Sequence, residues 1–206
     1  MNGISQINEA TYDALASEYE GKSALREAFN AEVVKRFLPF IKTGNEILDI
    51  GCAVGLDLSI FDARGFSATG IELSSKMASF AQKRNPRADV IVGDFMEVKF
   101  NKQFDGVYAQ SFIHLFPKAE SLDVLKKIKD ILKDGGVAHI TTSKSGVSGE
   151  GFVEKSDYEG NLKHFRKFWK RKELEEALIN TGFNTAHYYE IEDPFEKEWM
   201  VFIVKK

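Results

Sequence analysis

Three short stretches place acidic, small and aromatic residues where they would grip a nucleotide-like ligand. The first is Glu46-Ile47-Leu48-Asp49-Ile50-Gly51-Cys52-Ala53-Val54-Gly55, an apolar strand that runs into a turn of small residues and then into a helical pattern. Gly51 and Gly55 let the backbone bend sharply and lie against a ligand, and the following helix offers its positive N-terminal end. In the second stretch, Gly70-Ile71-Glu72-Leu73-Ser74, Glu72 closes an apolar segment 21 positions beyond Gly51, with Leu73 beside it. A carboxylate about 20 residues after a glycine turn accepts hydrogen bonds from ribose hydroxyls in nucleotide-binding α/β sheets. The third is Val92-Gly93-Asp94-Phe95, where Asp94 offers a carboxylate to an exocyclic amine while Phe95 and Met77 flank a planar base. Each stretch has a plainer alternative: an ordinary turn, a solvated Glu, a turn-capping Asp. Three such features at the ends of successive strands favour a binding site.

The elements that must position them follow from the pattern of apolar residues. A helical stretch around Tyr12 to Tyr19 comes first, then a helix from Ala24 to Phe40 with Leu25, Phe29, Val33, Phe37 and Phe40 at helical spacing. Five buried strands are expected at 46–50, 68–71, 89–92, 104–109 and 137–142, with helices at 56–63, 75–84 and 119–132 between them. Such alternation implies parallel strands with helical crossovers on both faces. After a helix from Arg171 to Thr181, the apolar segments Phe183 to Ile191 and Trp199 to Val204 follow each other directly, so the last strand should return antiparallel. The expected fold class is α/β: a Rossmann-like, doubly wound, seven-stranded sheet, mostly parallel with an antiparallel last strand. Residues Ser143 to Phe168, polar, glycine-bearing and dotted with aromatics, read as an irregular insertion over a binding site. With 206 residues, 43% of them hydrophobic, the chain suits one domain. Its expected caps are an N-terminal one at about 1–21 and an inserted one at about 143–169.

Charge and composition narrow the partners. A net charge of -3 supplies no broad cationic field for nucleic acid or anionic membranes. The single cysteine, Cys52, cannot make an intrachain disulfide and reads as a small buried filler. The opening Met-Asn-Gly-Ile-Ser-Gln lacks the basic and apolar regions of a secretory signal, and no apolar run nears the roughly 20 residues that span a bilayer. The expected address is the cytoplasm. No His-Glu-x-x-His or Cys-x-x-Cys spacing occurs, so no metal is expected.

The order Leu48-Asp49-Ile50-Gly51-Cys52-Ala53-Val54-Gly55, Gly70-Ile71-Glu72, Gly93-Asp94-Phe95, Phe104-Asp105-Gly106-Val107 and Leu132-Lys133-Asp134-Gly135-Gly136 resembles the class I S-adenosylmethionine-dependent methyltransferases. The resemblance runs from about Tyr12 to the C-terminus. It is strongest to the small-molecule branch that includes quinone-biosynthesis enzymes, through Thr11-Tyr12-Asp13 to Tyr19 and Arg166-Lys167-Phe168 to Gly182-Phe183. It implies S-adenosyl-L-methionine as cofactor and S-adenosyl-L-homocysteine as product. It also implies that Asp49, Gly51, Ala53 and Gly55 surround the methionine part and that Glu72 binds the ribose. Asp94 and Phe95 would sit at the adenine, Gln110 near the amino group, and Tyr19 over the carboxylate. Ala53 departs from the family, which usually has a second glycine there, and this would shift the backbone slightly from the ligand.

Methyl transfer needs an acceptor atom in line with the sulfonium, so positioning and desolvation supply most of the rate. An acceptor that loses a proton needs a base. His114, in Gln110-Ser111-Phe112-Ile113-His114 after the fourth strand, is the first candidate; its alternative is a histidine that bonds a loop carbonyl. His139 lies within a strand and reads as structural. The run Lys163 to Lys172 mixes cations with aromatics, a composition able to clasp an anionic acceptor or RNA; the favoured alternative is a solvated helix start with Phe165, Phe168 and Trp169 facing the core. Within it Arg166 would orient a carboxylate or phosphate. Tyr12 and Tyr158 are expected in the same acceptor pocket. An NAD-linked oxidoreductase is disfavoured because Gly-x-Gly-x-x-Gly would need glycine where Ala53 and Leu56 stand. A non-catalytic domain that keeps the cofactor fold is the other alternative.

Overall fold

A computed structural model of the chain describes residues 2–155 and 162–206. Two helices open it, α1 (Gly3–Gly21) and α2 (Ser23–Phe37), followed by a 3-10 turn at Leu38–Phe40. The alternating part then reads β1 (Glu46–Ile50), α3 (Leu56–Asp62), β2 (Ser67–Glu72), α4 (Ser75–Arg84), β3 (Asp89–Val92), β4 (Phe104–Ala109), α5 (Lys118–Ile131) and β5 (Leu132–Ser143). It closes with β6 (Gly149–Glu154), β7 (Lys163–Phe168), α6 (Arg171–Asn180), β8 (Asn184–Glu192) and β9 (Glu198–Lys205).

Seven strands form one sheet in the order β3-β2-β1-β4-β5-β9-β8. The first five are parallel, and β9 lies antiparallel to both β5 and β8, as the apolar pattern leads one to expect. The side-chain period of two distributes each strand between two cores. Ile47 and Ile203 pack with Val33, Val34 and Phe37 of α2 and Phe61 of α3. Their neighbours Leu48, Phe202 and Val204 pack with Val124 and Ile128 of α5 and Leu174 and Leu178 of α6. Because the chain winds outward from β1 to β3 and then returns to place β4 on β1's other side, a crevice opens at the C-terminal ends of β1 and β4. Among the described residues, no helix is long and apolar enough to cross a membrane.

Three expectations need correction. The segment from Ser143 to Phe168 is not wholly irregular: β6 and β7 form an antiparallel hairpin, from Gly149 opposite Phe168 to Glu154 opposite Lys163. The Lys163–Lys172 run is therefore mostly strand, and α6 begins only at Arg171. Its cations are not all solvated either. Lys167 is 2% exposed and donates to Ser148 Oγ (2.8 Å), the Phe168 carbonyl (2.8 Å) and the Glu173 carboxylate (3.0 Å). Strand β3, expected to be buried, is the sheet's outer edge, and Val92 is 55% exposed.

The turn after β1 is the tightest part of this frame. Gly55 has φ +77°, and a Cβ there would stand 2.8 Å from Ala81 Cα and 2.6 Å from Asn85 Nδ2, so α4 leaves no room. Gly65 has a similar φ of +81° with nothing within 4 Å of the Cβ position. Gly55→Ala should therefore cost both left-handed strain and overpacking, about 2–4 kcal/mol, and Gly65→Ala only the strain, about 1–2 kcal/mol. Urea denaturation of the two variants checks the difference.

Candidate active site

The three strand ends expected to meet do so around one cavity of about 560 Å³. The loop after β1 is held against β2: the amides of Gly51 (2.8 Å) and Cys52 (3.1 Å) both donate to the Ile71 carbonyl. Gly51 (φ +71°) and Ala53 (φ +48°) both take left-handed backbone, so alanine is accommodated where a glycine is usual. The Glu72 carboxylate, 7% exposed, accepts from the Ala53 amide (2.9 Å) through one oxygen and from the Ser74 amide (2.9 Å) through the other. It thus joins two strand ends while lining the cavity. Burial raises its pKa against the pull of these backbone bonds.

Beneath it lies a group of carboxylates. Asp49 is fully buried, and one of its oxygens has no hydrogen-bond partner. Burial, then the charges of Asp57 and Glu72, push its pKa well up. Asp57, in the first turn of α3, is raised to about 6 by burial, against a hydrogen bond from Asn30 (2.9 Å) and the charge of Arg26. At the third strand end, Asp94 accepts from the Met96 amide (2.9 Å) and from Ser5 Oγ of α1 (2.8 Å). It therefore caps its own turn and holds α1 as well. Phe95 and Met77 are buried beside it and line the same cavity.

The opposite wall comes from other elements. His114 sits on a 3-10 turn, Ile113–Leu115, between β4 and α5, and is 4% exposed. Its Nδ1 lies 3.3 Å from Thr142 Oγ1, and among the described residues Nε2 has no hydrogen-bond partner. Burial, then the positive charges of Arg166, His164, Lys155 and Lys197, push its pKa well below the ordinary 6.5. Arg166 donates to Ser143 Oγ (2.7 Å), and Lys155 donates to the Tyr19 hydroxyl (2.6 Å).

Of the residues singled out from sequence, Tyr12, Tyr19, Gly51, Ala53, Glu72, Leu73, Met77, Asp94, Phe95, Gln110, His114 and Arg166 line this cavity. Asp49 and Gly55 do not: they support the loop from behind, Gly55 wedged against α4 and Asp49 buried in the sheet. Tyr158 lies outside the described residues. The acceptor oxygen of Gln110 is already engaged by Thr141 Oγ1 (3.0 Å) and His139 Nε2 (2.7 Å), which weakens its expected reach toward an amino group. His139 is wholly buried and stacked 4.3 Å from the Tyr108 ring, a structural placement. Sequence reasoning missed Asp57, Ser5, Lys155 and His164. His164, Arg166 and Phe168 alternate along β7, a period-two signal hidden by reading the run as helix. Among the described residues, no cluster of three or more His, Cys, Asp or Glu side chains is gathered to hold a metal ion.

A family model described as a methyltransferase domain matches residues 23–188. The chain belongs to that family. This methyltransferase domain is 27% identical over 198 residues to an uncharacterized protein of Methanocaldococcus jannaschii, covering 91% of the chain and 73% of that protein. It is 33% identical over 131 residues to the dTDP-3-amino-3,6-dideoxy-alpha-D-glucopyranose N,N-dimethyltransferase of Streptomyces fradiae, covering 61% of the chain and 49% of that enzyme. In fold it matches the Burkholderia thailandensis 1,6-didemethyltoxoflavin-N1-methyltransferase, solved with 1,6-didemethyltoxoflavin and S-adenosylhomocysteine bound. That match has a TM-score of 0.71 at 18% identity, over 93% of this chain and 87% of the other. The sheet of this methyltransferase domain is accordingly the Rossmann-like methyltransferase sheet.

The environment of His114 has a direct spectroscopic consequence. An imidazole with the ordinary pKa is roughly three-quarters protonated at pH 6. The buried, positively surrounded ring of His114 should instead remain neutral there. A histidine-ring NMR titration, assigned with a His114→Asn variant, checks this.

Proposed function

We propose that the domain transfers a methyl group from S-adenosylmethionine to a small-molecule acceptor, with no nucleic acid as partner. The observation that carries this reading is the Glu72 carboxylate. It is buried at the end of β2, fixed by the Ala53 and Ser74 amides, and turned to the cavity that Asp94 and the Gly51 loop also line. The residues present fit an adenosyl ligand. Each Glu72 oxygen keeps a lone pair for a ribose hydroxyl, Asp94 stands beside Phe95 and Met77 for a base, and the Gly51–Gly55 turn presents main chain. The carboxylates of Asp57 and Glu72, both on the lining, make this end of the cavity favourable for a cationic ligand. When bound, the cofactor supplies an electrophilic methyl group on a sulfonium.

The chain's own part is to bind, orient and dehydrate. Helix α1 and the β6–β7 hairpin serve as the cap that receives the acceptor, with Tyr12 and Arg166 facing it. His114 acts as general base when the acceptor must lose a proton: its Nδ1 is oriented by Thr142 and its Nε2 takes the proton. The low pKa keeps the ring in the proton-accepting form at neutral pH. Small-molecule acceptors in the names of the Streptomyces and Burkholderia proteins support the same scale of substrate.

Two outcomes test this. Glu72→Ala should weaken S-adenosylhomocysteine binding by about 1.5–3 kcal/mol, the scale of hydrogen bonds to a charged group. Calorimetry on a variant with native circular dichroism measures it, and an unchanged affinity removes Glu72 from the site. His114→Asn should lower kcat by about 10²–10⁴-fold while S-adenosylhomocysteine affinity stays within a factor of two or so. Turnover equal to that of the parent would return His114 to a structural role.

A further inference from the structure

We infer that Lys127, on α5 and outside the cavity lining, is a positioning residue for the cofactor's base: its ammonium grips the loop at residues 94–98 from behind and so sets where Asp94 and Phe95 stand. This deepens the methyl-transfer reading and rests on it for the identity of the base.

A lysine on a helix at the surface ordinarily keeps its charged head in water. Lys127 stands beside Val124 and Ile128, which enter the core, and its head turns to the loop instead. Its Nζ donates to the carbonyls of Phe95 (2.5 Å), Met96 (3.1 Å) and Val98 (2.7 Å). An ammonium has three N–H donors, so this one loop can engage all of them. Among the described residues no backbone amide donates to these three carbonyls, so the ammonium is what satisfies them. Nζ also lies 4.9 Å from the centroid of the Phe95 ring and 5.9 Å from that of Phe100. Burial lowers the Lys127 pKa and the Asp94 charge raises it, so the two charges feel each other.

The loop's own bonds shape its turn. The Gly93 amide donates to the Glu72 carbonyl (2.9 Å), and the Asp94 carbonyl accepts from the amides of Glu97 (2.9 Å) and Val98 (3.0 Å). Lys127 adds a tie from this turn to α5, some 30 positions further along the chain. Without it, three carbonyls lose their donor and must turn toward water to recover one. Asp94 and Phe95 belong to the same turn and would move with them. A guanidinium is no substitute, because its donors lie in one plane in a fixed fork and cannot close on three carbonyls of a single turn as a tetrahedral head does. Stacking on Phe95 tolerates a small shift, whereas a hydrogen bond from an exocyclic amine to Asp94 weakens steeply with angle. Discrimination between a 6-amino and a 6-oxo purine is therefore the property that Lys127 governs.

The test compares S-adenosylhomocysteine with S-inosylhomocysteine, its 6-oxo counterpart, by calorimetry on the whole chain. The parent should bind the amino form about ten-fold or more tightly, the scale of a hydrogen bond to a charged group. Lys127→Ala should cut that preference below about three-fold, chiefly through weaker binding of the amino form. Added n-propylammonium, which replaces the missing stem and donors, should restore the preference. Tetramethylammonium, with the same charge and no N–H, should not. A role in stability alone would lower the urea midpoint of Lys127→Ala and leave the preference intact, and that result overturns the inference, as does an equal effect of the two cations. If Lys127→Ala does not fold, Lys127→Arg takes its place: it keeps the charge and should still lose the preference, so a retained preference overturns the inference there too. A parent that binds the two nucleosides equally also overturns it and leaves the methyl-transfer reading standing. Failure of the parent to bind S-adenosylhomocysteine at all overturns that reading, and with it the base on which this inference rests.

Discussion

A carboxylate taken out of water must be solvated by something else, and at the end of β2 that something is main chain. Glu72 holds the Ala53 amide with one oxygen and the Ser74 amide with the other, so the loops leaving β1 and β2 are fixed relative to each other. Neither loop would hold its shape as well alone: Ala53 sits in left-handed backbone that a Cβ disfavours, and Gly51 lends its amide to β2. The rest of the cavity depends on this join. The α3 and α4 helices start from these two loops, and α4 in turn closes on Gly55.

The cavity is electrically divided. On the sheet side burial raises the proton affinity of Asp49, Asp57 and Glu72, and the charges of Asp57 and Glu72 raise that of Asp49 further, so that end favours positive ligands. On the hairpin side burial, and after it the charges of Arg166, His164, Lys155 and Lys197, lower that of His114. A sulfonium donor would find the complementary field at the carboxylate end. That field would orient a cationic donor before any close contact is made. It asks little of individual catalytic side chains, which agrees with a reaction governed by alignment.

How much of this the sequence carried depends on how local the signal is. The doubly wound sheet is legible because each strand is a short apolar run bounded by its own turn, and the reversal at β9 follows from two strands with no helix between them. Glu72 and Asp94 are legible because strand, turn and carboxylate are adjacent in the chain. Asp57 was not, since its raised pKa comes from burial in the folded chain, opposed by Asn30 and Arg26 on α2, and these neighbours are far away in sequence. The β6–β7 hairpin was missed for a different reason. Its alternation is carried by Lys, His and Arg, and such residues normally mark solvent, so the run reads from sequence as a solvated helix start. The same substitution of polar for apolar residues on an inward face is what makes the hairpin a binding wall.

Helix α1 links the two halves. Along one face, Ser5 donates to Asp94 and Asp13 accepts from Ser74 and the Lys76 amide, which ties the helix to the second and third strand ends. From the same helix Asn8 accepts from the Phe165 amide and Thr11 donates to the Lys163 carbonyl, which ties it to β7. Its partners thus belong to both the proposed cofactor site and the proposed acceptor wall. An adenosyl group that engaged Asp94 would compete with Ser5 or share its oxygen, and the helix would register that change along bonds that end on the acceptor's hairpin. The contacts proposed for the two ligands would therefore be connected through one helix, whose polar side chains bond loops and strand edges. That arrangement would place specificity in the parts of the chain with the fewest buried apolar residues, and leave the sheet free to keep the donor's geometry constant.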